Sequence, residues 1–265
     1  MIRLPIAQID AFADAPFTGN PAAVMPLDAW LADDVLLAIA GENNLSETAF
    51  LVPDASGASD YELRWFTPAA EVALCGHATL ASGHHLLSSD PDLTKVTFRT
   101  RQAGMLSVAR HGDGYELGLP NWAPTAKPLP EIVAALGVEA AVETLWYETG
   151  YALIVLENAD QIRALTPDQA ALAAQGKLVA VVTAPGDATD VISRVFTPYY
   201  DIPEDPVTGS AHAVMTPYWA ARLGQDSFTA YQASKRGGHV GCRLAGDRVM
   251  LTGRCVTMME GVFLL

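Results

Sequence analysis

The feature that most restricts how this chain folds is that it repeats itself. Arg64-Trp-Phe-Thr-Pro68 recurs as Arg194-Val-Phe-Thr-Pro198, 130 positions on in a chain of 265 residues. The same offset carries Cys75 onto Asp205 without a gap, each eleven positions after its arginine. Thr18-Gly19 returns as Thr149-Gly150 with one residue of slippage, and each is followed by an apolar run, Ala22-Ala-Val24 and then Leu153-Ile-Val155. A collinear duplication of this length predicts two similar folding units that bring equivalent positions to equivalent places.

Within each half the pattern reads strand, strand, helix, strand, strand, then a longer helix and more strands. In the first half a helix runs from about Asp28 to Ala40 and stops at Gly41; in the second, Thr166-Pro-Asp-Gln169 offers an N-cap, a first-turn proline and a capping-box glutamine. Short strands follow at Thr48–Val52 and Leu178–Val182. The longer helices, His77 to about Leu87 and Thr208 to about Leu223, are apolar or small nearly all round, which predicts burial. Short alternating runs such as Lys95–Phe98, Gly104–Val108, Tyr115–Leu119 and Arg248–Thr252 suit antiparallel pairing. The expected fold class is α+β: two pseudo-symmetric domains, each a curved antiparallel sheet around a central helix. The proline-rich stretch from Pro120 to Pro130 divides them into residues 1–120 and 121–265, with the last strand able to cross to the first half and the active site expected between them.

Half the residues are hydrophobic and 17% are charged, enough apolar material for one large core or two medium ones. The formal charge of −14 argues against nucleic acid or an anionic membrane as a general partner, since both demand a basic face. No stretch approaches the roughly 18 uninterrupted apolar residues of a membrane span, so a cytoplasmic protein is expected. The three cysteines, Cys75, Cys242 and Cys255, have no CxxC spacing, and His84-His85 has no acidic companion, so neither a disulfide framework nor a zinc cluster is indicated. No dinucleotide or phosphate-loop glycine pattern is present.

An acidic chain that binds an anion must hold it locally. Each long helix begins just after the duplicated position, at Cys75-Gly-His77 and at Asp205-Pro-Val-Thr-Gly-Ser210. A helix start leaves backbone N–H groups without partners and carries about half a positive charge, which makes it a carboxylate site without arginine. Thr208, Gly209 and Ser210 add hydroxyl and unobstructed backbone donors, and Gly76 permits close approach in the other half. The alternative at Asp205 and Ser210 is ordinary helix capping. Glu47 stands at the lip of a strand with no acidic counterpart in the second half, as a reaction on an asymmetric substrate would use; in a water-poor site such a group removes and returns a proton. The alternative is a solvated strand-end glutamate. His77, in the first turn of its helix, is expected to be kept neutral by the dipole. Cys75 is either a thiol base or inert packing, and Cys242 and Cys255 are expected in the core.

Thr18-Gly-Asn-Pro-Ala-Ala-Val24, Asn44-Leu-Ser-Glu-Thr48, Arg64-Trp-Phe-Thr-Pro68, Cys75-Gly-His-Ala-Thr79 and Glu204-Asp-Pro-Val-Thr-Gly-Ser-Ala211, in this order, resemble the PhzF-like isomerases of phenazine biosynthesis. The resemblance spans nearly the whole chain and implies a diaminopimelate-epimerase-like fold. It implies that Glu47 is the acid/base, with His77, Asp205 and Ser210 as its catalytic partners. Asn20, Cys75, Gly76, Thr208 and Gly209 would contact a small carboxylate substrate, with no metal, no organic cofactor and a homodimeric assembly. Cys75 and Ala78 depart from the small apolar residue and the proline expected there, which leaves the substrate open. The function expected is a cofactor-independent isomerase that moves a proton on a small carboxylic acid, by double-bond shift or epimerisation. Two alternatives stand beside it: a two-base racemase using Cys75, and a ligand-binding protein without turnover.

Overall fold

A computed structural model describes all 265 residues, Met1–Leu265. In chain order the elements are β1 (Arg3–Ala11), β2 (Asn20–Pro26), α1 (Asp33–Asn43), β3 (Glu47–Pro53), β4 (Tyr61–Phe66), β5 (Glu71–Val72), α2 (Gly76–Ser89), β6 (Lys95–Thr100), β7 (Met105–His111) and β8 (Gly114–Pro120). They continue as β9 (Thr125–Ala126), α3 (Pro130–Ala135), β10 (Glu143–Tyr147), β11 (Tyr151–Val155), α4 (Ala159–Ala164), α5 (Gln169–Ala173), β12 (Val179–Pro185), β13 (Val191–Thr197) and β14 (Ile202–Asp205). Last come α6 (Gly209–Leu223), β15 (Ser227–Gln232), β16 (Gly238–Ala245), β17 (Arg248–Gly253) and β18 (Cys255–Leu264). Two compact units are present: Met1–Gly118 with Thr252–Leu265, and Leu119–Leu251. None of the helices is long and apolar enough to cross a membrane.

The fold is α+β, and both units are wired alike. In the first, β2 pairs parallel with β3 (Ala22 opposite Glu47) and β4 parallel with β6 (Tyr61 opposite Phe98). In the second, β11 pairs parallel with β12 (Ala152 opposite Ala180) and β13 parallel with β15 (Val191 opposite Ala230). The hairpins around them are antiparallel, as the alternating patterns predict. A parallel pair demands a long crossover, and the helices supply it. The last strand, β18, lies antiparallel on β1 over its whole length, from Leu264 opposite Arg3 to Cys255 opposite Ala11.

In the first unit the sheet separates two helices. On one face Leu36, Ile39 and Ala40 of α1 pack with Met25, Phe50, Val52 and Phe66. α2 is buried instead among β1, β2, β3, β6, β7 and β18. Its residues from Gly76 to Gly83 are all buried, and Leu80 and Leu87 are fully so; each such leucine is worth about 2 kcal/mol of transfer free energy. Gly83 is required by this closeness, because a Cβ there would lie 2.4 Å from the Val108 side chain. In the second unit α3, α4 and α5 cover the sheet through Ile132, Ile162 and Leu172, and Gly209 to Thr216 of α6 are all buried. Pro217 interrupts α6 by removing one backbone donor. The carbonyl that it would have engaged, Ala213 O, accepts from Trp122 N at 3.3 Å instead.

Local chemistry revises three boundaries. α1 runs through Gly41 to Asn43, because Asn44 takes the left-handed conformation (φ 48°) and returns its N–H to Ala40 O. In the second half Asp168, not Thr166, caps α5, its carboxylate accepting from Ala171 N. The stretch after Pro120 is no free linker: Thr125–Ala126 forms a strand on β10, and Trp122 stacks on Tyr147 with centroids 5.3 Å apart.

The buried α6 also carries His212, which is fully enclosed, donates Nδ1–H to Thr208 O at 2.8 Å, and is pushed by burial down to about 4. An unfolded chain takes up this proton near the ordinary value and the folded chain resists until about pH 4, so between the two the unfolded state binds more protons. The stability is therefore complete above the ordinary histidine value and is lost as pH falls to about 4, by about 3 kcal/mol. Denaturant titrations at pH 7 and pH 4 should show that His212→Gln removes this part of the acid loss. An undiminished loss in the variant would count against it.

Candidate active site

The duplicated motif explains how the chain is led into each central helix. Buried Arg64 on β4 forms a two-pronged ion pair with Glu71 on β5, Nε to Oε1 at 2.8 Å and Nη2 to Oε2 at 2.7 Å. Arg194 on β13 does the same with Glu204 on β14, at 2.7 and 2.9 Å. Thr67 turns its own loop, its hydroxyl accepting from Ala69 N and Ala70 N, and Thr197 Oγ1 donates to Ile202 O. A second repeated device escapes sequence reading. Asp60 accepts from Thr97 N and Oγ1, and Asp190 from Thr229 N and Oγ1, each pinning the strand that follows the central helix.

In the first unit five of the expected site residues converge. Cys75 is the N-cap of α2 and makes no side-chain cap bond; Gly76 and His77 begin the helix. Glu47 opens β3 and Asn20 opens β2. His77 Nε2 lies 3.2 Å from Glu47 Oε2, without the alignment of a hydrogen bond. Its Nδ1 lies 3.1 Å from Asn20 Nδ2 and 3.5 Å from Cys75 Sγ. Ser46 Oγ donates to Asn20 Oδ1 at 3.2 Å, which turns the Asn20 amide N–H toward the ring. The Nε2 hydrogen accordingly faces Glu47. Glu47 is aimed by the turn before it: Asn44 ends α1, and Asn43 Nδ2 donates to Thr48 Oγ1 at 3.0 Å.

Burial opposes a charge on His77, but the contacts it makes with the Cys75 sulfur and the Glu47 carboxylate outweigh it, and the direction is upward from the ordinary imidazole range. The direction is opposite to the one expected from the helix dipole alone, since a carboxylate 3.2 Å from the ring favours its charged form. Burial, and then the Glu47 carboxylate, push the Cys75 thiol up to about 11. Cys75 is therefore a thiol at neutral pH. Cys242 is a core residue, also raised by burial, and Cys255 is half-buried on β18.

In the second unit Thr208 is the N-cap of α6 and again makes no side-chain cap bond, while Gly209 and Ser210 begin the helix. The N-cap position thus falls on Thr208 and not on Asp205. The Asp205 Oδ2 accepts from Thr208 Oγ1 at 2.5 Å. The organiser is Gln232, fully buried on β15 and absent from the sequence candidates. Its Oε1 accepts from Thr208 N at 2.9 Å, and its Nε2 donates to Asp205 O at 2.8 Å and Thr208 Oγ1 at 3.1 Å. A glutamine remote in sequence has no local signature; Ser46, beside Glu47, has the weak one of adjacency.

The strands and helix starts so described match known proteins over the whole chain. The family model for phenazine biosynthesis-like proteins, PhzC-PhzF, matches residues 9–261. The chain belongs to this family. It is 46% identical over 261 residues to an "uncharacterized isomerase" of Pseudomonas aeruginosa, covering 98% of each chain. The solved structure of a PhzF-family phenazine biosynthesis protein from Enterococcus faecalis is 42% identical, with a TM-score of 0.90 and full coverage of both chains. A hydroxyproline epimerase from Agrobacterium vitis shares the fold at 13% identity, with a TM-score of 0.65 and coverage of 98% of this chain and 92% of that one. Membership of this family, together with the isomerase names of its relatives, supports an isomerase-type function.

Replacing Gln232 by leucine strands the buried Thr208 N–H and removes one donor from the Asp205 carbonyl. The unfolding free energy should fall by about 1–3 kcal/mol, and amide exchange at Thr208 should accelerate. Urea titration and hydrogen exchange read both effects; unchanged values would mean that the amide organises nothing.

Proposed function

We propose that this chain is a cofactor-independent isomerase that moves a proton on a small carboxylic acid. The observation that carries the reading is the pairing of Glu47 with His77, 3.2 Å apart, beside a helix start whose N-cap spends no side chain on its backbone donors. In this reading the Glu47 carboxylate accepts a proton from a carbon activated by the substrate's own carboxyl or carbonyl group. The resulting negative charge spreads onto the substrate oxygen, where backbone N–H groups at Gly76 and His77 meet it. The proton, now on Glu47, is delivered to another carbon or to the other face of the same one, and the carboxylate is regenerated. His77 Nε2–H steadies the Glu47 charge between the two transfers, and Asn20 holds the ring. Asp205, Thr208, Gly209 and Ser210 take part as further substrate contacts and polar partners, and the protein works as a homodimer in the cytoplasm.

The two-thiol racemase reading loses support from Cys75 itself, because a thiol at about 11 is a poor base at neutral pH. A binder without turnover is separated by exchange chemistry, since it moves no proton.

Incubated in heavy water with a panel of small unsaturated and 2-substituted carboxylic acids, the native protein should place deuterium on carbon in at least one of them, detected by mass spectrometry. Glu47→Gln keeps the shape and removes the base, and should slow that exchange by about 10²–10⁴-fold with the circular dichroism unchanged. Exchange at the native rate in this variant would end the assignment.

A further inference from the structure

The second unit carries a cavity that the proton transfer leaves unused. It has a volume of about 380 Å³ and opens where the ends of α3 and α4 meet, with Leu136, Val138, Leu156 and Leu165 and the carboxylates of Glu139 and Glu157 in its lining. Small-molecule sites span about 300–1,000 Å³. The cavity lies across the sheet from α6. Ala152 and Ile154 of β11 and Ala180 and Val182 of β12 pack with α3 and α4. Thr183, of opposite strand parity, accepts instead from Trp219 Nε1 of α6 at 3.0 Å. The floor and the rim differ in character. Leu136, Leu156 and Leu165 are buried members of the core, and Val138 packs against it. Glu139 and Glu157 are exposed, and no basic side chain engages either carboxylate. The cations nearby are engaged elsewhere: Arg163 of α4 donates to both oxygens of Asp187, at 2.7 and 2.9 Å, and Arg194 is held by Glu204. Both helices end at the cavity, and the last carbonyls of a helix add partial negative charge. The walls are fixed in advance, since Gln161 Oε1 accepts from Glu157 N at 2.8 Å and Arg194 Nη1 donates to Leu165 O at 2.8 Å. An ordered site loses little further freedom on binding.

We propose that this cavity binds a small organic cation, a protonated primary amine on a compact apolar body. The leucine floor takes the apolar body out of water, and the ammonium group, charged at neutral pH, is met by Glu139 and Glu157. A bare metal ion gains nothing from the leucines, and an anion meets two carboxylates with no counter-charge among the lining residues. Apolar floor and acidic rim together select an amphiphilic cation. No residue of the cavity takes part in the proposed proton transfer.

Three probes with one body and different heads, hexylammonium, hexanol and hexanoate, test the site on the full-length protein labelled with nitrogen-15. At low salt, where exposed charges are least screened, hexylammonium should give saturable amide shifts centred on Gly137, Val138, Glu157 and Gln161. Hexanol should bind more weakly, and hexanoate least. Glu139→Gln and Glu157→Gln should each weaken hexylammonium binding about 2–5-fold, the scale of one exposed ion pair, and together about 10-fold. Ala164→Phe, which adds a ring to the lining at the end of α4, should abolish the shifts with the circular dichroism unchanged. Asp160→Asn, an exposed acid on α4 outside the lining, should leave the affinity as it is. Hexanoate binding as tightly as hexylammonium, native affinity in the double glutamine variant, or a loss in Asp160→Asn equal to that in Glu157→Gln overturns the proposal. So do shifts spread over the acidic surface without saturation at the cavity amides.

Discussion

A helix with small or apolar residues on every face has no side to show to water, and much of this structure follows from enclosing two of them. α2 and α6 must each be wrapped, and in the first unit strands from β1 to β18 approach α2 closely enough that Gly83 has no room for a Cβ. Enclosure along the length leaves the first turn as the place where unpaired backbone donors collect. Neither Cys75 nor Thr208 spends its side chain on them. The fold thus creates an anion-attracting point as a by-product of burying a helix, and a chain with a net charge of −14 needs no arginine there.

Enclosure also explains where the polar groups went. A buried histidine or amide is tolerated only when its neighbours answer it. Asn20 is oriented by Ser46 and turned on His77, and Gln232 ties Thr208 to Asp205 with three bonds. The Arg64–Glu71 and Arg194–Glu204 pairs hold the short strands that lead into these starts. His77 Nε2 and Glu47 Oε2 are left close together without a good hydrogen bond. That contact is the one on which the proposed proton transfer rests.

The duplication produced a repeated frame and unequal contents. Parallel crossovers, arginine clamps and aspartate–threonine pins occur in both units. The residues at the helix starts differ: a thiol, an imidazole and a nearby carboxylate in the first, an aspartate held by a threonine in the second. Repetition of backbone wiring is inexpensive to keep, because it rests on many apolar contacts, whereas single polar side chains change freely around it.

Periodicity and repetition are local in sequence, and they sufficed for the α+β class, the two buried helices and their start positions. Motif order singled out Glu47, His77, Asp205 and Asn20, and of these Glu47, His77 and Asn20 lie together. Helix ends were less legible: Asn44, not Gly41, stops α1, since a left-handed asparagine closes a helix as well as glycine does. Tertiary structure alone decided the pairing of β2 with β3, the placement of Gln232, and the upward direction at His77. Each of these depends on a distance between residues far apart in the chain, and Coulomb and hydrogen-bond energies are set by that distance. For the same reason Glu47, far from Cys75 and His77 in the sequence, could be brought within 4.8 Å of both.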